Sequence, residues 1–258
     1  MSKRLHSGRA AQAGVVGADL SARGFTGIPN VLEASYGGFL STLSGEPEMA
    51  HLTRGLGTDW EICKVGFKPY ATAASVQSVL FAIDGLMAEN SLTASDIDRV
   101  IIHCSTMAHR HCAWPYEPSG VTAAQMNMFF AAAMMIVDRN AMLDQFREDR
   151  LTDPAALKMI ERIEIEADTK YDAGGDATRH HARVELIAKG GRHFAREVLE
   201  RPGSPGNPLS PEQLAKKFST LAAAVLPAER ISKIIAAVAE IESTDARTLT
   251  GLATTATP

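Results

Sequence analysis

Lysines and histidines at two places in the chain have the types and spacing to do chemistry. Lys68 lies in Gly66-Phe67-Lys68-Pro69-Tyr70, between a short apolar-alternating run at 60–65 and a helical pattern that starts near Thr72. Pro69 fixes the backbone beside it. A cation at a strand-to-helix junction can face a cleft and meet an anionic ligand. The plainer expectation for a lysine is a solvated loop side chain. Lys3 and His6 flank the start of the first helical pattern. They read either as part of a flexible tail or as a cation and a proton carrier over a cleft on which Lys68 closes. Two lysines on one polycarboxylate make charge-assisted hydrogen bonds, which are strong where water is excluded. A neutralised carboxylate also eases deprotonation of the neighbouring C–H.

The other clusters read more plainly. His103-Cys104, His109 and His111-Cys112 supply nitrogen and sulfur within a short stretch, and a closed zinc site takes four such ligands. Adjacent residues point to opposite faces when extended, however, and the spacing fits no metal pattern. No metal is expected at this stretch. His180-His181 follows a glycine loop and reads as a solvated strand edge. The chain has no GxSxG, no GxxxxGK[ST] and no GxGxxG, so hydride transfer and nucleotide hydrolysis lose their usual supports. Met126, Met128, Phe129, Phe130, Met134 and Met135 read as core packing. Lys216-Lys217 reads as an exposed helix face whose stems cover apolar surface.

Bulk properties narrow the partners. The 258 residues suit one large or two modest domains. Hydrophobic residues at 45% and charged residues at 22% allow a sizeable core. A net charge of −4 gives no global basic field, so nucleic acid is not an expected partner. Three cysteines, Cys63, Cys104 and Cys112, form no disulfide framework, which points to a reducing, cytoplasmic setting. The first residues lack the apolar stretch of a signal peptide, and the apolar run at 126–137 is too short to span a bilayer. No membrane association is expected.

These residues need elements to position them. Residues 7–23 read as a helix rich in small side chains, an inner helix that another can approach closely, ending at Gly24-Phe25-Thr26-Gly27. A strand is expected at 60–65 and a helix at 72–89, where Val76, Val79, Leu80, Ile83 and Leu86 recur at helical spacing. Strands are expected at 98–104 and 162–168, and a hairpin at 183–198 around Lys189-Gly190-Gly191-Arg192. Between them lie a long apolar helix at 122–140 and a helix opened by Asp153-Pro154. After the turn-rich 201–208, helices follow at 210–225, 227–241 and 245–252. The expected fold class is α+β: helices at both ends, forming part of an all-helical domain, bracket an α+β insert with an antiparallel sheet of about four strands. The expected boundaries are 1–57, 58–203 and 204–258.

Several segments then resemble one family. Lys3-Arg4-Leu5-His6-Ser7-Gly8-Arg9-Ala10-Ala11 resembles the K-x-L-H-x-G-x-A-A segment of the MmgE/PrpD family, and Gly24-Phe25-Thr26-Gly27 and Leu32-Glu33 follow at its spacing. Phe67-Lys68-Pro69-Tyr70 is similar to its K-P-Y/F element, and 207–218 to its N-P-L-S…K-F element. The family includes 2-methylcitrate dehydratase, cis-aconitate decarboxylase and iminodisuccinate epimerase. The resemblance implies a helical domain with a smaller α+β lid, a di- or tricarboxylate substrate, no metal or other cofactor, and a homodimer. It implies that Lys3 and Lys68 are the substrate-cleft lysines and that His6 is the motif histidine, giving Lys3, Lys68 and His6 as catalytic candidates.

Two departures stand out. Family members carry a helical segment before the K-x-L-H element that supplies an aspartate and histidines, and this chain starts where that segment ends. Gln77 stands where the family has a histidine after K-P-Y. Glutamine hydrogen-bonds a carboxylate but carries no proton at neutral pH, so Gln77 is expected to bind substrate with the two lysines. The functional expectation is a 2-methylcitrate dehydratase-like lyase portion that removes a proton beside a carboxylate with loss of water. Decarboxylation and epimerisation are its family alternatives. A truncated remnant, or a subunit needing a partner chain that supplies the helical part, is the non-catalytic alternative, and a metal-binding module is the third.

Overall fold

The computed structural model describes residues 2–44 and 48–254, with side chains from residue 5 onward. The chain divides into two compact units, 1–62 and 63–258.

The first unit holds α1 (Ser2–Ala22), α2 (Phe39–Leu43) and a short 3-10 turn (Met49–Leu52). Helix α1 ends where glycine was expected to end it: Gly24 takes φ 90° and Phe25 N–H reaches back to Leu20 O at 3.0 Å. The expectation of an inner helix is not met by this chain. Residues 5–22 are all exposed, and a Cβ placed on Gly8, Gly14 or Gly17 would meet nothing within 4 Å. Small residues permit close approach but do not supply the approaching surface.

The second unit carries the core. Helix α3 (Ala74–Glu89) leads to β1 (Ile97–Cys104) and then α4 (Thr106–Cys112), α5 (Val121–Met126), α6 (Met128–Asp138) and α7 (Pro154–Ile160). Strands β2 (Ile163–Ala167), β3 (Ala182–Ala188) and β4 (His193–Val198) follow, and α8 (Pro211–Ala222), α9 (Ala228–Ala239) and α10 (Ala246–Ala253) complete the unit. The fold class is α+β.

The four strands lie in the order β2-β1-β3-β4. They form a mixed sheet, which corrects the antiparallel expectation. β1 runs parallel to β2, Val100 opposite Ile163, and antiparallel to β3. Helices α4 to α7 fill the connection between β1 and β2, and a crossover of that length lets the chain return in the same direction. The β3–β4 hairpin turns through Lys189–Gly191 with Gly190 at φ 80° and Gly191 at φ 77°.

The alternation in β1 and β3 decides where the core sits. Val100, Ile102, Cys104, Val184, Leu186 and Ala188 are buried under α3 and α6, and Arg99, His103, Arg183 and Glu185 line the other face. Phe130, in α6, is fully buried, stacked on Tyr116 with ring centroids 4.5 Å apart and packed on Phe146.

Two local expectations are corrected. The run at 60–65 is no strand: Glu61–Lys64 is a 3-10 turn, and Trp60 and Ile62 are exposed. Alternation without a neighbouring strand edge leaves backbone groups no ladder to join. The helix expected at 122–140 is two helices broken at Asn127. Its side chain accepts from Phe130 N at 3.0 Å, capping α6, and donates to Trp114 O at 2.7 Å. A fully buried asparagine with both ends satisfied outcompetes helix continuation. The cap at Asp153 forms as expected, its carboxylate accepting from Ala155 and Ala156 N–H. Among the described residues no helix is long and apolar enough to cross a membrane.

Candidate functional site

Lys68 belongs to a segment pinned on both sides. Before it, Phe67 N–H donates to Gly203 O at 2.7 Å. Gly203 sits at φ 79°, and a Cβ there would collide with the Phe67 carbonyl oxygen. Only glycine satisfies both the left-handed backbone and the close approach. Asn207 builds the turn that presents Gly203: its carbonyl accepts from Gly203 N at 2.7 Å, and its side chain donates to Glu200 O at 3.2 Å. Ser210 then caps α8 by accepting from Gln213 N at 3.2 Å. The 66–70 and 207–210 segments, far apart in sequence, thus form one clasp.

After Lys68 the pin is Gln77. Its Oε1 accepts from Tyr70 N at 3.1 Å, and its Nε2 faces Tyr70 O at 3.2 Å and Thr72 Oγ1 at 2.7 Å. The side chain is fully buried. Backbone groups and Thr72 occupy the amide that was expected to meet substrate, and Gln77 holds the loop that carries Lys68. A buried amide left unpaired is costly, so the polar atoms of 70–73 select this arrangement.

Around the clasp the structure gathers cations on a histidine. His180 Nδ1 lies 3.3 Å from Ser75 Oγ, and its Nε2 accepts from Arg179 Nε at 3.2 Å. Arg201 stands beside Gly66, its Nη2 3.3 Å from where a Cβ on that glycine would lie. Burial first, then Arg179, Arg201 and Lys68, push the His180 ring down to about 4, with Asp176 opposing. The imidazole is therefore neutral at neutral pH. Ser75 lies in the first turn of α3, whose N-cap residue Ala73 makes no side-chain cap. That helix end adds partial positive charge to the cluster. Lys68 itself is exposed.

His180, Ser75 and Arg201 escaped the sequence reading. His180 was expected at a solvated strand edge, yet it is half-buried against a serine 105 residues away. No local spacing encodes such a pair. Of the other expected site residues, His6 is exposed on α1 in the first unit. Lys3 lies in the first turn of the same helix, and its side chain lies outside the described residues.

The His/Cys stretch is divided by strand alternation. Cys104 is buried on the helix side of the sheet, and burial raises its thiol to about 12. His103 faces the other side between Glu166 at 3.4 Å and Glu185 at 3.2 Å. Among the described residues no group of three or more His, Cys, Asp or Glu is placed to hold a metal ion.

A family model described as MmgE/PrpD C-terminal domain matches residues 70–241. The chain belongs to the MmgE/PrpD family. A cis-aconitate decarboxylase from Aspergillus terreus is 30% identical over 249 residues, covering 91% of this chain and 50% of that protein. The cis-aconitate decarboxylase-like protein oryM of Aspergillus oryzae is 27% identical over 260 residues, covering 94% and 52%. The Homo sapiens cis-aconitate decarboxylase is 25% identical over 252 residues, covering 93% and 50%. The chain therefore spans about half the length of the curated relatives it matches. Tyr70, in the lysine clasp, is where the family match begins.

Proposed function

We propose that this chain is a carboxylate-binding portion of a lyase acting on small di- or tricarboxylates. The observation that carries the reading is the Lys68 clasp, with Arg201 and Arg179 around a neutral His180. Such a cluster attracts carboxylates and favours the electron-rich transition state of C–C or C–O cleavage beside them. Lys68 orients one substrate carboxylate.

The similarity to cis-aconitate decarboxylases favours loss of carbon dioxide from a cis-aconitate-like acid. Loss of water from a 2-methylcitrate-like acid is the second reading, and epimerisation the third. A second copy, or a chain supplying further helical structure, completes the catalytic unit. The exposed apolar residues of the first unit, Val15, Val16 and Phe25 among them, favour such a partner.

A thermal-shift series with cis-aconitate, citrate, 2-methylcitrate and iminodisuccinate analogues tests the binding role. Wild type is stabilised by at least one polycarboxylate, and Lys68→Ala by less. The proposal fails if no acid stabilises wild type more than the variant. Proton NMR of cis-aconitate incubated with the chain and its partner distinguishes decarboxylation from dehydration by product.

A further inference from the structure

We propose that Ser75 is a ligand-binding residue of the Lys68 site, its hydroxyl proton aimed at a substrate carboxylate by a one-way hydrogen-bond chain from Arg179 through His180. The inference rests on the reading of this site as carboxylate-binding and names a further residue in it.

Donor and acceptor chemistry fixes the direction of the chain. Arg179 Nε carries a proton and can only donate, so His180 Nε2 at 3.2 Å must accept. A neutral imidazole has a single N–H, and with Nε2 accepting, that proton is on Nδ1. Nδ1–H then donates to Ser75 Oγ at 3.3 Å. A hydroxyl that accepts this bond still has its own proton to give. Among the described residues Ser75 has no second hydrogen-bond partner, and its side chain is half-exposed.

The surroundings set what that proton meets. The charges of Lys68 and Arg201 act on the same ring, and Arg179 is paired with Asp176 at 3.1 Å. Burial first, and then these cations, keep His180 neutral, which preserves the chain: a charged ring would set an Nε2–H against the Arg179 N–H, donor against donor. The open N-terminus of α3 lies one residue from Ser75. The Ser75 hydroxyl, Lys68, Arg201 and the α3 N-terminus are donors or positive charges, and the one carboxylate that acts on the ring, Asp176, is taken up by Arg179. The matching ligand group accepts only, as a carboxylate does, and a carboxamide presents an N–H to one of these donors. Ser75 is thus a specificity-determining contact. His180 and Arg179 are positioning residues that act through it.

Isothermal titration of the full chain with tricarballylate, an unreactive tricarboxylate, tests the idea. Ser75→Ala is expected to weaken binding about tenfold, the loss of one hydrogen bond to a charged group. His180→Ala weakens it to a similar extent, and the double variant is no worse than either alone, since both remove the same proton. His180→Asn, which keeps an N–H near the Nδ1 position, recovers most of the affinity. A purely structural role for His180 would give neither the non-additivity nor that recovery. If Lys68→Ala weakens binding and Ser75→Ala does not, the inference is overturned and the carboxylate site stands. Additive losses overturn the chain. If tricarballylate does not bind wild type, or binds Lys68→Ala equally well, the reading of the site falls and the inference falls with it. Should Ser75→Ala alter the melting curve, Ser75→Cys, which nearly keeps the volume but donates weakly, takes its place with the same expectation.

Discussion

The two units of this chain put similar helix-forming sequence to different use. Helix α1 runs for 21 residues with every described side chain exposed, whereas α3, with 16, buries Val76, Val79, Leu80, Ile83 and Met87 completely. Both were legible as helices. Only α3 has an apolar stripe that a sheet covers. Helical order read from small residues and a glycine stop therefore says little about burial. Burial follows from a stripe together with a partner surface.

The sharpest way to break this contrast is a paired truncation. Phe130→Ala in the second unit should cost about 3–5 kcal/mol by urea unfolding, while Leu20→Ala on α1 should stay within about 0.5 kcal/mol. Equal losses would mean that α1 is packed. A smaller effect separates the glycines. Gly203→Ala should destabilise the second unit by about 1–3 kcal/mol and weaken tricarboxylate binding, because its φ of 79° and the Phe67 carbonyl forbid a Cβ. Gly14→Ala, with nothing within 4 Å, should raise helicity in circular dichroism and add up to about 1 kcal/mol to helix stability.

Gln77→Leu should cost about 1–2 kcal/mol, since it leaves Tyr70 N–H without its acceptor. It should also weaken polycarboxylate binding by loosening the Lys68 loop. An unchanged affinity would separate that glutamine from the site.

The smallest effect is a pH slope. His180 is lowered from 6.5 to about 4, so the unfolded chain takes up the proton first as pH falls. The neutral ring's contribution is complete above pH 6.5 and disappears progressively down to about 4. His180→Asn should lack this slope in a series of urea midpoints, and solvent at the half-exposed ring keeps the difference small. A variant that loses stability in parallel with wild type would place the ring in water.

Much of the second unit was readable because its signals are local. The period of α3, the Asp153-Pro154 cap and the Gly190-Gly191 turn each depend on residues a few positions apart. The misread elements depended on distant partners. The 60–65 run alternates but has no strand beside it, and Asn127 breaks a helix because Trp114 O is there to receive its amide. Gln77 looked like a ligand group by its place after Lys68, yet Tyr70 and Thr72 turn it inward.

Sequence alone determined that a lysine sits on a proline-stiffened loop ahead of an amphipathic helix, and that the chain is α+β. Type and short-range spacing suffice for that, because backbone dihedral limits and side-chain periodicity act over single turns. Tertiary structure decided that β1 lies parallel to β2, that Gly203 clasps Phe67, and that Arg179, His180 and Ser75 form a directed chain beside Lys68. Hydrogen bonds reach about 3 Å and screened fields about 10 Å. Which groups come that close is settled by how the sheet and helices pack, not by their order along the chain.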